Sequence, residues 1–316
     1  MLPPMSAGEN TGNVATLSKL SLPVPRDSIG QMLARGWKSF SFEFFPPKDA
    51  EGQQVLWRSI QDLESLRPTF VSVTYGAGGG TRDRTLEITR RMVAETTMLP
   101  MAHLTCVGST VTELREVLTE LHGAGVRNVL ALRGDPPGGP HTEWVPTPDG
   151  LTYANELVAL VNDFGGFSIG VAAFPEGHVS APGLDHDVAV MKAKQDAGAE
   201  FAVTEMVLRV SDYVSLVERC QVAGVTIPIV PGIMPILNLR SMSRMVEMSG
   251  RQMPGAVLDR ILPLEDRPED LRAEGIAIST ELCDALLAAG APGLHFYTLN
   301  RSKATREIFA ALNLEG

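Results

Sequence analysis

The segment Ser39-Phe40-Ser41-Phe42-Glu43-Phe44-Phe45-Pro46-Pro47 sets one carboxylate among aromatic rings. At period two, Ser41, Glu43 and Phe45 share one face, and Phe40, Phe42 and Phe44 the other. A carboxylate so placed is poorly solvated and its neutral form is favoured. A raised pKa is expected, which is how a general acid for neutral pH is made. The plainer reading is a core Glu neutralised by an Arg or Lys, because an isolated buried carboxylate is costly. A glycine-rich stretch, Gly76-Ala77-Gly78-Gly79-Gly80, follows Val73-Thr74-Tyr75 and runs into a helical pattern. Glycines admit close approach of backbone N–H groups, and a helix start favours anions. It lacks the Gly-Lys-Ser/Thr of a nucleotide P-loop and reads equally as a flexible turn. His103 sits in Ala102-His103-Leu104-Thr105, where a lone His is more often a satisfied core residue. Arg133 and Asp135 flank Gly134 on one face; they either pair with each other or grip a polar ring system by its donors and acceptors. Further polar groups stand in Phe174-Pro175-Glu176-Gly177-His178, in Thr204-Glu205 and in Thr298-Leu299-Asn300-Arg301. Arg301 suits a ligand carboxylate or phosphate. No metal-ligand spacing and no Ser-His-Asp arrangement is legible.

These residues end short apolar or alternating segments that recur along the chain. The segments are Ser39–Phe45, Phe70–Tyr75, Pro100–Cys106, Asn128–Gly134, Phe167–Phe174, Phe201–Val207, Ile227–Ile233 and Gly293–Leu299. Stretches of helical period lie between them: Glu51–Leu66, Arg82–Thr96, Val111–Ala124, Tyr153–Phe164, Asp187–Ala197 and Ser211–Ala223. The longer last interval predicts at least two helices, one over Leu271–Ala289. Strand and helix alternating eight times predict a closed (β/α)8 TIM barrel of the α/β class, with its site at the carboxyl ends of the strands. An open nucleotide-binding sheet should show GxGxxG after its first strand, and Phe-Phe-Pro-Pro stands there instead. The expected organisation is one barrel domain over residues 27–316 behind a mobile tail over residues 1–26. Asp27 is the expected cap of a short helix, Ser28–Arg35, ahead of the first strand.

Composition narrows the function classes. The chain has 316 residues, 44% hydrophobic and 20% charged, which fits a folded chain with a large core. Lys+Arg 27 against Asp+Glu 37 gives a net charge of −10, which argues against nucleic-acid and membrane-surface partners. Cys106, Cys220 and Cys283 stand far apart, fitting a reducing cytoplasm and a place in the core. No apolar run approaches the roughly 18 residues of a membrane span.

Taken together, the strand tips resemble the methylenetetrahydrofolate reductase family. The matching phrases are Phe42-Glu43-Phe44-Phe45-Pro46-Pro47-Lys48, Val71-Ser72-Val73-Thr74-Tyr75-Gly76-Ala77, His103-Leu104-Thr105-Cys106, Leu132-Arg133-Gly134-Asp135, Ala172-Ala173-Phe174-Pro175-Glu176 with His178, and Phe296-Tyr297-Thr298-Leu299-Asn300-Arg301. The resemblance implies an oligomeric flavin barrel in which NADH or NADPH reduces FAD, and reduced FAD passes hydride to 5,10-methylenetetrahydrofolate. It implies that Glu43 is the acid and that Asp135 touches both flavin and pterin. Thr74, Tyr75, Ala77, His103, Arg133, Gly134, Ala154, Phe174, His178, Asp187 and Lys194 fall on flavin-contacting positions. Glu205, Leu239 and Arg301 fall on substrate positions. Glu205 replaces the family's usual Gln, so its substrate contacts must change, because a carboxylate has no donor unless protonated. Leu239 replaces a stacking Phe, and Phe174 a Tyr. Val190 and Ala193 stand where bacterial relatives have polar flavin contacts, which motivates a second reading with hydride passing directly from a nicotinamide. A third reading, prompted by Glu205 and Leu239, is a folate-binding partner subunit of weak activity.

Overall fold

Eight strands alternate with helices in the computed structural model, which describes residues 28–75, 82–136, 138–139 and 142–312. The strands are β1 (Ser39–Phe44), β2 (Phe70–Val73), β3 (Pro100–Thr105), β4 (Asn128–Leu132), β5 (Ser168–Ala173), β6 (Phe201–Met206), β7 (Ile229–Ile233) and β8 (Gly293–Tyr297). Each pairs in parallel with its neighbours in chain order, and β8 closes on β1. The crossover helices are α2 (Ala50–Glu64), α3 (Arg82–Glu95), α4 (Val111–Gly123), α5 (Ala154–Phe164), α6 (Leu184–Asp196) and α7 (Val210–Val222). The barrel predicted from the alternation is thus the observed fold. The tail expected over residues 1–26 and the call on Ala77 fall outside the described residues.

Strand alternation divides the core. Phe42 and Phe44 of β1 and Phe296 of β8 face outward and pack with Leu56, Ile60 and Leu63 of α2. Phe70, Met101, Leu130, Phe201 and Val230 form a second cluster with Ile29, Met32 and Leu33 of the short helix α1 (Ile29–Ala34). The Ile29 and Gly30 amides donate to Asn128 Oδ1 (3.1 Å) and Ser168 Oγ (3.0 Å), at the first residues of β4 and β5. Helix α1 therefore plugs the end of the barrel opposite the strand tips. Its cap is Ser28 rather than the expected Asp27. The Ser28 side chain accepts from the Gln31 amide and Gln31 returns the bond, a complete capping box.

The last interval holds three helices where at least two were expected: α8 (Leu239–Met248), α9 (Gly255–Ile261) and α10 (Pro268–Ala288), before α11 (Lys303–Ala311) follows β8. Met206, Met234, Ile236, Met242, Val246 and Ile261 make a separate apolar cluster here, with Leu239 and Tyr297 packed on it. This packing seats α8 and α9 over the tips of β6, β7 and β8. Residues of the α8–α9 connection thereby reach the barrel mouth.

Candidate active site

Glu43 projects into the barrel from β1, on the face it shares with Ser41, as period two requires. Its strand end is tied down from β8. Thr298 Oγ1 donates to the Glu43 carbonyl (2.6 Å), and Asn300 brackets Phe45, accepting its N–H (3.0 Å) and donating to its carbonyl (2.8 Å). The carboxylate meets neighbours from three other strands. Ser72 Oγ of β2 donates to Oε2 (3.1 Å), His295 Nε2 of β8 lies 3.2 Å from the same oxygen, and His103 Nε2 of β3 lies 3.3 Å from it. His103 Nε2 is buried and off-line, so it approaches as a charge partner without an aligned hydrogen bond. His295 is wholly buried, with Nδ1 2.8 Å from Ser41 Oγ and its ring stacked on Phe70 at 5.7 Å. Among the described residues every contact on this carboxyl falls on Oε2, which leaves Oε1 for a ligand.

This corrects the expected electrostatics. Burial does push the Glu43 carboxyl up, but His103 and His295 outweigh it and hold the group below the ordinary carboxylate range. A guanidinium or ammonium partner was the alternative weighed from sequence; the partners are imidazoles. His103 earns its place here beside an acid. The sequence reading gave no role to Ser72 or His295, although each is a polar residue among apolar strand neighbours, opposite or diagonal to Glu43 in the register.

A second group gathers at the tips of β4 and β5. Gly134 turns the chain at φ 83°, and a Cβ there would stand 2.5 Å from Val107 Cγ1. Arg133 stacks its guanidinium 4.8 Å from the Trp144 ring centroid, a loop residue the sequence reading did not single out. Phe174 packs edge-on against His178 at 4.8 Å. The buried Asp187 of α6 accepts the His178 amide (3.0 Å). Buried Lys194, also of α6, donates to the Ala172 carbonyl (2.8 Å). Its ammonium is pushed down to about 8, first by burial and then by Arg133, against the pull of Asp187. Burial, Arg133 and Lys194 likewise hold the His178 imidazole down. Three basic groups thus lie within electrostatic reach of one another inside an acidic protein, an arrangement able to bind a large anion. Thr74 is half-buried at the β2 tip, its N–H bonded to the Phe44 carbonyl (2.9 Å), and Tyr75 follows it. Ala154 opens α5 after the loop that carries Trp144. Val190 is half-buried and Ala193 exposed on α6.

On the opposite side, Glu205 of β6 meets Arg251, whose Nη2 lies 2.7 Å from Oε2. Burial raises the Glu205 carboxyl, Arg251 opposes this, and Asp135 and Glu176 push it further up. Asp135, exposed after β4, and Glu205 therefore face one mouth. Leu239 is half-buried at the start of α8. Arg301 is exposed and lines a cavity of about 600 Å³ with Arg58, Asn238 and Lys303, beside rather than inside the Glu43 cluster. Cys106, Cys220 and Cys283 are buried and free, as core thiols should be. Among the described residues no helix is long and apolar enough to cross a membrane.

Known proteins resemble this chain in sequence and in fold. The family model described as methylenetetrahydrofolate reductase matches residues 28–313. The chain is 38% identical over 292 residues to the 5,10-methylenetetrahydrofolate reductase of Escherichia coli K12, covering 92% of this chain and 96% of that one. It is 38% identical over 299 residues to methylenetetrahydrofolate reductase (NADH) 1 of Arabidopsis thaliana, covering 91% of this chain and 50% of the plant protein. A solved structure from Clostridium thermocellum, described as binding two copies of 5-methyl-5,6,7,8-tetrahydrofolic acid, superposes with a TM-score of 0.62 at 13% identity, over 90% of this chain and 98% of that one. At that identity the last likeness speaks for the fold alone. By the family model and the extent of its identity to the bacterial enzymes, the chain belongs to the methylenetetrahydrofolate reductase family.

Proposed function

We propose that the protein reduces 5,10-methylenetetrahydrofolate to 5-methyltetrahydrofolate, with Glu43 as general acid, FAD as hydride carrier and NADH or NADPH as donor. The observation that carries the reading is the Glu43 carboxyl. One oxygen is fixed by Ser72, His103 and His295 while the other is left to the barrel mouth.

Glu43 Oε1 delivers a proton to a folate ring nitrogen. The C–N bond of the five-membered ring breaks toward that nitrogen, and the methylene carbon becomes an iminium able to accept hydride. Bound folate excludes water from the mouth, and desolvation, which already pushes this carboxyl up against the pull of His103 and His295, favours the proton-bearing form of Glu43. Asp135 accepts N–H groups of the pterin, and Arg301 receives a folate carboxylate. Arg133, His178 and Lys194 fit the diphosphate of FAD, since a bound anion relieves three crowded basic groups. Gly134 admits a close backbone approach, and Asp187 holds the His178 segment in place. When bound there, FAD supplies the hydride relay between nicotinamide and folate. Buried free thiols and the acidic net charge support a cytoplasmic setting.

The test is a visible absorption spectrum of the purified protein, then anaerobic addition of NADH or NADPH, then methylenetetrahydrofolate with product analysis. Bleaching of a flavin band and formation of 5-methyltetrahydrofolate are expected. Product without a flavin band would favour direct transfer from the nicotinamide, the reading that the apolar Val190 and Ala193 on α6 support. Absence of product from the chain alone would overturn the assignment.

A further inference from the structure

Glu205 stands near the end of β6, and the structure gives it a dedicated partner from outside the barrel. Between Val203 and Met206 the β6–β7 register shifts, a local irregularity of the kind that re-aims a side chain. The Thr204 carbonyl accepts Tyr297 OH (2.6 Å), and Thr204 Oγ1 accepts the Gly232 N–H (2.9 Å), so the segment beneath Glu205 is rigid. The partner is aimed with equal care. Helix α8 ends at Gly250 in the left-handed region (φ 68°), with the Gly250 and Arg251 amides returning to the Glu247 and Val246 carbonyls. That turn sends Arg251 inward, where its side chain is 4% exposed, its Nη1 donates to the Met206 carbonyl (3.0 Å) and its Nη2 meets Glu205. The Glu205 side chain itself is 42% exposed.

The guanidinium is therefore hidden behind the carboxylate and acts on a ligand only through it. We propose that Arg251 is a positioning residue that holds the Glu205 carboxylate at the barrel mouth as an acceptor for the adjacent N–H donors of a pterin edge. The groups facing Glu205 make a counter-ion necessary. Asp135 of the β4 tip and Glu176 of the β5–α6 connection repel its charge, the half-buried Tyr297 of β8 feels it, and Arg209 is occupied by Glu176 (3.6 Å) and Asp212 (3.4 Å). Without Arg251, burial and the two neighbouring carboxylates push the Glu205 carboxyl further up and favour its proton-bearing form, which is a donor rather than a pure acceptor. This rests on the folate reading above.

The experiment is calorimetric binding of 5-methyltetrahydrofolate between pH 6.0 and 8.5, which needs no turnover. Arg251→Met is expected to weaken binding about tenfold, with the loss larger at the acid end of this range than at the alkaline end. The double variant Glu205→Gln/Arg251→Met, whose amide needs no counter-ion, should lose that pH dependence and recover most of the affinity, so the two losses do not add. A loss independent of pH, no loss, or additive losses would overturn the proposal while wild-type binding and turnover stand. Failure of the wild-type protein to bind the folate would overturn the folate reading with it. Melting temperatures of all variants separate a folding defect from a changed site.

Discussion

His295→Gln isolates what the buried imidazole does for the acid. The amide keeps a donor near Glu43 but cannot carry a proton. A full charge at 3.2 Å in an effective dielectric of about 20 is worth roughly 5 kcal/mol, a ceiling reached only by a protonated ring. A hydrogen bond to a charged group is worth about 1.5–3 kcal/mol, or about one to two pKa units. Burial opposes the imidazoles at Glu43, so losing one raises the carboxyl's affinity for its proton. The limb of the kcat profile on which Glu43 loses its proton should move up by about one to two pH units. Stability carries the complementary sign. A depressed folded-state pKa stabilises above the ordinary carboxylate range, and that stabilisation disappears as pH falls through the folded value. The variant should therefore be less stable than wild type near neutrality by about 1.5–3 kcal/mol, and the gap should close as acid protonates Glu43 in both proteins. Stopped-flow pH profiles and urea titrations at several pH values measure the two effects. An unmoved limb, with a stability gap independent of pH, would refute the coupling of His295 to Glu43.

Other consequences are equally specific. A Cβ on Gly232 would stand 2.4 Å from the Thr204 carbonyl and 2.7 Å from the Tyr297 ring, so Gly232→Ala should destabilise by about 1–3 kcal/mol and raise the folate KM, as urea titration and steady-state kinetics will show. Lys194 is charged below about 8, so FAD affinity of the flavin-stripped protein should fall as pH rises through that value; Lys194→Met should bind FAD weakly at every pH, by fluorescence titration. Burial pushes the Cys106 thiol up to about 11, and Cys220 and Cys283 are buried as well, so a thiol reagent at neutral pH should label the native protein slowly and the unfolded protein at all three.

Much of this was legible in the chain because strand alternation and helical period are local signals. The segments Phe70–Tyr75 and Pro100–Cys106 contain β2 and β3, and the aromatic face of Ser39–Phe45 became the helix-packed face of β1. Glu43 could be singled out because a carboxylate among rings is anomalous within its own strand. Its electrostatics could not be read. They depend on register across the closed barrel, which brings His295, Ser72 and His103 to one oxygen from distant parts of the sequence. Arg251 was invisible for the same reason. Only the packing of α8 over β6 to β8, and the turn at Gly250, point it at Glu205. Trp144 sits in a loop with no period to betray its stacking on Arg133. The cap fell one residue from its expected place because Gln31 completes a capping box with Ser28.

The most direct test of the central claim is the rate of folate reduction by Glu43→Gln under single-turnover conditions, with melting temperature and folate affinity measured on the same preparation. A positioned acid contributes roughly 10²–10⁴-fold, so the rate should fall by that factor while folding and binding hold. A folded Glu43→Gln protein that reduces methylenetetrahydrofolate at the wild-type rate would contradict the account.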